Sequence, residues 1–199
     1  MESGVLMSEG GACESVIEAC KTGDREAFRK LFEKYKDRVF SVALYFFGGD
    51  EATASDVTQQ VFLKLFTRIA QFNGEAEFTT WLYRLTTNAC VDEHRKRRRF
   101  LQFGDETQVL EPRVRSSNED TLARAEVAGA VKRAVSALKP KLRVVMLLKY
   151  FEEMSYEEIG AVLNLSKGTV ASRLNRGHKI LARKLGHLRA ELVRAEQES

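Results

Sequence analysis

The 199-residue chain has little of what special chemistry is built from. Its three cysteines, Cys13, Cys20 and Cys90, are odd in number and lack C-x-x-C spacing, which argues against a disulfide framework and for free thiols in a reducing compartment. The three histidines, His94, His178 and His187, are scattered among basic residues, and no two of them complete a ligand set with a cysteine. No metal site, cofactor or catalytic constellation is read from this inventory, and an enzyme is not expected. Proline occurs twice, as Pro112 in an aperiodic stretch and as Pro140 at a helix break. Long apolar runs are also missing. The longest, Val144-Val145-Met146-Leu147-Leu148, is far short of a membrane span, and the N-terminus has no basic segment followed by an apolar one. A cytoplasmic protein without membrane insertion is expected.

What is present is helical periodicity and an uneven distribution of charge. Residues 1–120 carry 17 basic and 20 acidic side chains, whereas residues 121–199 carry 15 and 8, so that two halves meeting different surfaces are implied. The fold class expected is all-α, as two small helical domains joined by a flexible linker. Residues 1–13 read as a disordered tail, 14–100 as the first domain, 101–120 as an acidic linker with five acidic and two basic residues, 121–186 as the second domain, and 187–199 as a charged tail.

In the first domain Phe28, Leu31, Phe32, Tyr35 and Val39 follow the 3.6-residue period after Asp24, and Gly48-Gly49-Asp50 closes that helix. Val57, Val61, Leu65 and Ile69 mark the next, with Phe62 and Phe66 widening its stripe. After the loop from Gln71 to Glu77, a third stripe of Phe78, Trp81, Leu82, Leu85 and Ala89 runs into Arg95-Lys96-Arg97-Arg98-Arg99. One or two of these cations would suit a helix C-terminus, and five suit a phosphate-binding patch better. Trp81 falls on the apolar stripe and reads as core, with contact to DNA as the alternative left open.

The second domain holds the most informative segment. Leu122, Val127, Val131, Val135 and Leu138 mark a helix that Lys139-Pro140 breaks, and Leu142 to Phe151 forms a short buried one. Ser155 and Glu158 then make the S-x-x-E pattern of a capping box, and Ser166 is a second good N-cap two residues beyond Asn164. Two short helices joined by a tight turn result, which is the shape of a helix-turn-helix. From Ser166 to Lys184 there are six Lys or Arg and no acidic residue. A merely solvated helix usually mixes both signs, so contact with nucleic acid is the simpler account. Lys167, Gly168, Thr169 and Ser172 would enter the major groove, with Arg173, Arg176 and Lys179 near the backbone.

Taken in order, Asp56-Val57-Thr58-Gln59-Gln60-Val61-Phe62-Leu63, Phe78-Thr79-Thr80-Trp81-Leu82-Tyr83-Arg84-Leu85, Asn88, the basic run, and Leu147-Leu148-Lys149-Tyr150-Phe151 before Ser155-Tyr156-Glu157-Glu158-Ile159-Gly160 resemble an extracytoplasmic-function (ECF) sigma factor of the sigma-70 superfamily, over about Val16 to Leu185. The resemblance implies an initiation factor whose region 2-like domain docks on core RNA polymerase and opens the −10 promoter element, and whose region 4-like domain reads the −35 element. It places Asp56, Gln59, Gln60, Phe62 and Leu63 against the clamp helices of the polymerase, with the flap of the other large subunit as a further contact. Phe72, Asn73 and Phe78 would form a pocket for a base flipped from the −10 strand. Thr80, Tyr83, Arg84, Thr87 and Asn88, with Arg95 and Arg98, would lie along promoter DNA.

An anti-sigma partner and a monomeric free state are further implications. Two departures stand out: Leu82 replaces a second wedge aromatic of housekeeping factors, and Ala171 replaces a common Lys or Arg of the recognition helix. The competing reading is a stand-alone helix-turn-helix regulator, which would bind duplex DNA by itself, normally as a dimer. No heptad seam for such a dimer is apparent.

Overall fold

The computed structural model describes the backbone of residues 10–103 and 119–197, with side chains over 14–100 and 127–186. Among these residues every regular element is helical, as expected: α1 (Gly10–Lys21), α2 (Arg25–Phe46), α3 (Glu51–Arg68), a 3-10 turn (Ile69–Gln71), α4 (Phe78–Phe103), α5 (Glu119–Ser136), α6 (Pro140–Tyr150), α7 (Tyr156–Leu163) and α8 (Lys167–Gln197).

Helices α1 to α4 form the first unit. Asp24 starts α2 by accepting the Glu26 and Ala27 amides at 2.8 and 3.1 Å, and Asp50 starts α3 by accepting the Thr53 amide at 3.0 Å and its hydroxyl at 2.7 Å. Each cap satisfies donors that a helix start leaves open. Leu31, Val39, Phe46, Val57, Val61, Leu65 and Leu82 meet in the middle and are almost completely buried. Removing one such side chain from water is worth about 1.5–3 kcal/mol, so the stripes, more than helix propensity, hold this unit together. The sequence reading assigns no helix to α1, which begins at Gly10, inside the expected tail; Ile17 and Cys20 nonetheless enter the core.

Helices α5 to α8 form the second unit. Pro140 opens α6 at its first turn, where its missing N–H costs nothing. All five residues from Val144 to Leu148 are buried, because α6 is covered on every side. On one side lies α8, approached so closely that a Cβ on Gly177 would stand 2.8 Å from Met146 Sδ. On the other lie α2 and α4 of the first unit: Val144, Leu147 and Leu148 face Val42, Phe46, Thr87 and Cys90 across a gap too small for water.

Two helical units are therefore present, and they are packed on one another, which the expectation of two domains on a flexible linker does not include. The expected linker falls mostly on residues 104–118, outside the described residues, and α4 runs to Phe103 where the sequence analysis ends it near residue 100. The expected C-terminal tail is helical to Gln197.

Candidate nucleic-acid interface

The helix-turn-helix is built as its sequence implies. The Ser155 hydroxyl accepts the Glu158 amide at 3.1 Å while the Glu158 carboxylate accepts the Ser155 amide at 2.7 Å, so the capping box is closed at both ends. These bonds hold the Glu158 carboxyl below its ordinary value, the bond from Ser155 being the main cause. The turn depends on two residues. Asn164 takes the left-handed conformation at φ 52°, and Gly160 lies so close to the Leu165 carbonyl that an added Cβ would stand 2.7 Å from its oxygen. Val170 and Leu174 lock the start of α8 into the core.

That packing leaves Lys167, Gly168, Ser172, Arg176 and Lys179 exposed along one face, with Thr169 and Arg173 half-buried at its edge. Lys167 is ion-paired to Glu157 of α7, and Thr169 bonds to Ser166 within the cap at 2.9 Å. The remaining row is cationic without a nearby acid on its own helix turn, the arrangement needed for backbone phosphates.

The expected polymerase-contacting residues divide. Asp56, Gln59, Gln60 and Leu63 form an exposed row on α3, with Leu63 63% accessible. Phe62 does not join them: it is 4% accessible, its ring edge-on to Phe32 at 4.7 Å, because it falls on the inner side of the α3 stripe. Beside the row, Phe28, Phe32, Phe40, Phe62, Leu63 and Phe66 line an open groove, and Phe66 is 52% accessible. From the sequence Phe28 and Phe32 read as core scaffold and Phe66 as part of an aromatic surplus that packs on two sides, not as an open groove. A surplus of aromatics over what one stripe can bury was the available signal.

The expected −10 residues divide as well. Asn73 is exposed at the tip of its loop, accepting the Glu75 amide at 3.2 Å, and Phe72 is half-buried. Phe78 is buried and belongs to the core, where Phe72, Phe78 and Trp81 form an aromatic triangle with centroids 5.5–6.0 Å apart. Trp81 is half-buried in this triangle. Thr80 is half-buried, and Asn88, Arg95 and Arg98 are exposed. Arg97, in the middle of the basic run, is committed to Asp50 at 2.9 Å and to the Thr53 hydroxyl at 2.6 Å, tying α4 to the start of α3.

Tyr83 and Thr87, expected on an open DNA-facing surface, are both buried. The second unit covers them. Thr87 turns its hydroxyl back to the Tyr83 carbonyl at 2.8 Å and lies under α6, while the Tyr83 hydroxyl donates to the Glu152 carboxylate. Burial pushes the Glu152 carboxyl above its ordinary value, and burial together with Glu152 does the same to the Tyr83 phenol. Arg84 is only half-exposed, its guanidinium donating from Nε and Nη2 to the Ala161 carbonyl at 2.9 and 2.6 Å.

Arg143 has no role expected from the sequence. It is 5% accessible and reaches the carbonyls of Phe46 at 2.6 Å, Leu138 at 2.9 Å and Ser136, with its plane over the Phe46 ring. Burial lowers its pKa to about 10. A charge inside the apolar run from Leu142 to Leu148 was the signal that something polar must be waiting there.

No helix among the described residues is long and apolar enough to cross a membrane, and none of their His, Cys, Asp and Glu side chains cluster as metal ligands. The comparisons with known proteins fall on these same helices. The chain matches Sigma-70 region 2 over residues 31–100 and Sigma-70 region 4 over residues 128–181. It is 32% identical over 180 residues to the ECF RNA polymerase sigma factor SigW of Bacillus subtilis, covering 86% of this chain and 96% of that one. It is 29% identical over 188 residues to the ECF RNA polymerase sigma-E factor of Escherichia coli, covering 90% and 97%. Among solved structures, CnrH in complex with the cytosolic domain of CnrY superposes with a TM-score of 0.64 at 25% identity, covering 88% of this chain and 98% of that one. The sigma factor RpoE bound to the anti-sigma factor NepR from Bartonella quintana shares the fold, with a TM-score of 0.62 at 21% identity over 80% and 96% of the two chains.

The chain belongs to the sigma-70 family of transcription initiation factors, within its ECF group. It acts as a sigma factor, with core RNA polymerase and promoter DNA as its partners; the stand-alone regulator is not favoured. The sigma factors are not an enzyme family.

Proposed function

We propose that each exposed surface has a separate task in promoter-specific initiation. The row Asp56, Gln59, Gln60 and Leu63, with the aromatic groove beside it, docks on the clamp helices of core polymerase; the exposed Leu63 and Phe66 supply the apolar area such docking needs, and the acid and amides fix its register. The face of α8 from Lys167 to Lys179 reads the −35 element, with Arg176 and Lys179 on phosphates and Ser172 toward the bases. Asn73 and Phe72 receive a base from the −10 strand, and Thr80, Arg84, Asn88, Arg95 and Arg98 follow its backbone. The second unit also touches the polymerase flap. The factor works in the cytoplasm as a monomer between rounds of initiation and is held in check by an anti-sigma protein, the kind of partner seen with RpoE of Bartonella quintana.

The observation that carries this reading is the juxtaposition in one chain of an uncovered polar and aromatic surface on α3 and a separate cationic face on α8 that carries no acid of its own. The test is transcription in vitro on fragmented host DNA with sigma-free core polymerase, mapping RNA starts with and without this protein. Discrete new starts sharing two spaced upstream elements are expected, and their loss with Leu63→Asp but not with an exposed control such as Arg29→Gln supports α3 as the docking row. Absence of starts, together with tight duplex binding by the protein alone, overturns the reading.

A further inference from the structure

The stretch assigned above to the flipped −10 base has no cation of its own. From Ile69 to Tyr83 the sequence carries Glu75 and Glu77 and neither Lys nor Arg. A nucleotide that leaves its stack brings its phosphate with it, and two carboxylates close behind Asn73 repel that charge. Arg84, the next cation along the chain, donates to the Ala161 carbonyl. A strand-binding groove needs positive charge along the backbone it tracks, and here that charge comes from another part of the fold.

Helix α1 supplies it. This helix lies outside the match to Sigma-70 region 2, which begins at residue 31. Ile17 and Cys20 anchor it in the core, and it packs against the 3-10 turn that leads into Phe72. Its end is fixed by the backbone: Gly23, at φ 88°, donates to the Cys20 carbonyl at 3.0 Å, and the Asp24 amide donates to the Ala19 carbonyl at 3.1 Å. Lys21, the last residue of α1, is thereby carried over Phe72, its ammonium 5.7 Å from the ring centroid. Phe78 and Trp81 hold the same ring, with centroids 5.7 and 5.5 Å away. The Lys21 ammonium pairs with the Glu18 carboxylate at 2.6 Å, and the Glu18 side chain is 63% accessible. A solvated pair of this kind is weak enough for a phosphate to take over the cation.

We infer, resting on the pocket assigned under Proposed function, that Lys21 is a further promoter contact: it binds the backbone phosphate of the nucleotide received by Phe72 and Asn73, and Glu18 keeps it over Phe72 until the strand arrives. Lys21 is a point charge with three rotatable donors, so it adds affinity for the strand and no preference among bases. One neutralised phosphate changes the slope of log affinity against log salt by about 0.7 for a single strand, which is about fivefold in affinity at 0.1 M relative to 1 M salt.

The experiment measures binding of the non-template −10 strand, as an oligonucleotide from the promoter recovered by start mapping, to core polymerase loaded with the full chain, over a salt series from about 0.1 to 0.4 M. Variants are compared at equal loading of core. Lys21→Met, which keeps a stem over Phe72, is expected to lower the slope by about 0.7 and the affinity at 0.1 M about fivefold, by the same factor whichever base enters the pocket. Lys21→Arg is expected to restore both. Glu18→Gln, which releases the ammonium, is expected to bind the strand more tightly than wild type. An unchanged slope in Lys21→Met, a loss that varies with the flipped base, or weaker binding by Glu18→Gln each overturns the phosphate contact. Asn73→Ala leaves Lys21 in place and tests the pocket separately: wild-type affinity in that variant overturns the pocket assignment, whatever the slope of Lys21→Met.

Discussion

Replacing Arg143 tests how the two units are held against each other. Its guanidinium reaches three carbonyls, those of Phe46, Ser136 and Leu138, at the ends of α2 and α5. A hydrogen bond from a charged donor is worth about 1.5–3 kcal/mol net, and a buried carbonyl left without a donor costs about 1–3 kcal/mol. Against this stands the cost of keeping a cation out of water, visible in a pKa pushed down to about 10 by burial. The bonds win while all three are made. Arg143→Ala removes the donors and leaves a cavity, and a loss of about 3–5 kcal/mol is expected, a large part of a typical domain's stability. Arg143→Met keeps most of the volume and avoids a stranded charge, so its cost is smaller by the cavity contribution, about 1–2 kcal/mol less. Arg143→Lys keeps the charge without the planar fork, and one ammonium cannot span both helix ends, placing it between the other two. Urea unfolding followed by far-ultraviolet circular dichroism measures the series. A loss below about 1 kcal/mol for the alanine variant would refute the argument that this cation holds the two helix ends together.

The remaining predictions concern the cap, the turn and the cysteine. Burial raises the Asp50 carboxyl, but the Thr53 amide and hydroxyl and Arg97 pull it further down, so it ends below its ordinary value. A carboxylate so favoured in the folded state adds stability above its unfolded value and loses it as the pH falls through the lower, folded one; Asp50→Asn, which keeps a cap acceptor, should flatten that part of an acid titration of stability. Gly160→Ala should cost more than the roughly 1 kcal/mol that helix propensity would return, because its methyl meets the Leu165 carbonyl, and duplex binding by α8 should fall with it; a stabilised variant in thermal unfolding would sink this account. Cys90 is fully buried with its thiol pushed up to about 12, mainly by burial, so a thiol reagent should modify it only after denaturation.

The helices were legible where a cap, a stripe and a stop coincide. Asp24 and Ser155 mark starts and Gly48-Gly49-Asp50 a stop, and the apolar spacing that follows each is close to 3.6, so α2, α3 and α7 begin within a residue of where they are expected, while α6 begins at Pro140, two residues before the expected Leu142. Helix α1 was not legible because its start is Gly-Gly-Ala-Cys and its buried face has only a few members, among them Ile17 and Cys20. The cationic face of α8 was legible from charge alone, since acids are missing from that stretch. What lies over α4 was not. Amphipathic spacing shows which side of α4 is polar but not what covers it, and Tyr83 and Thr87 could satisfy their hydroxyls under another helix as well as in water. Phe62 and Phe78 were misplaced for the converse reason: an aromatic beside a polar motif looks available until the packing of its neighbours is known.

The close approach of Gly177 to Met146 gives α8 a fulcrum. A helix of 31 residues is a stiff rod of about 46 Å at 1.5 Å per residue, and Gly177 lies ten residues from its start at Lys167 and twenty from its far end. The two arms are thus about 15 and 30 Å long. A side chain at position 177 would push the rod off Met146 while Val170 and Leu174 hold its start in the core, and the displacement would grow along the longer arm.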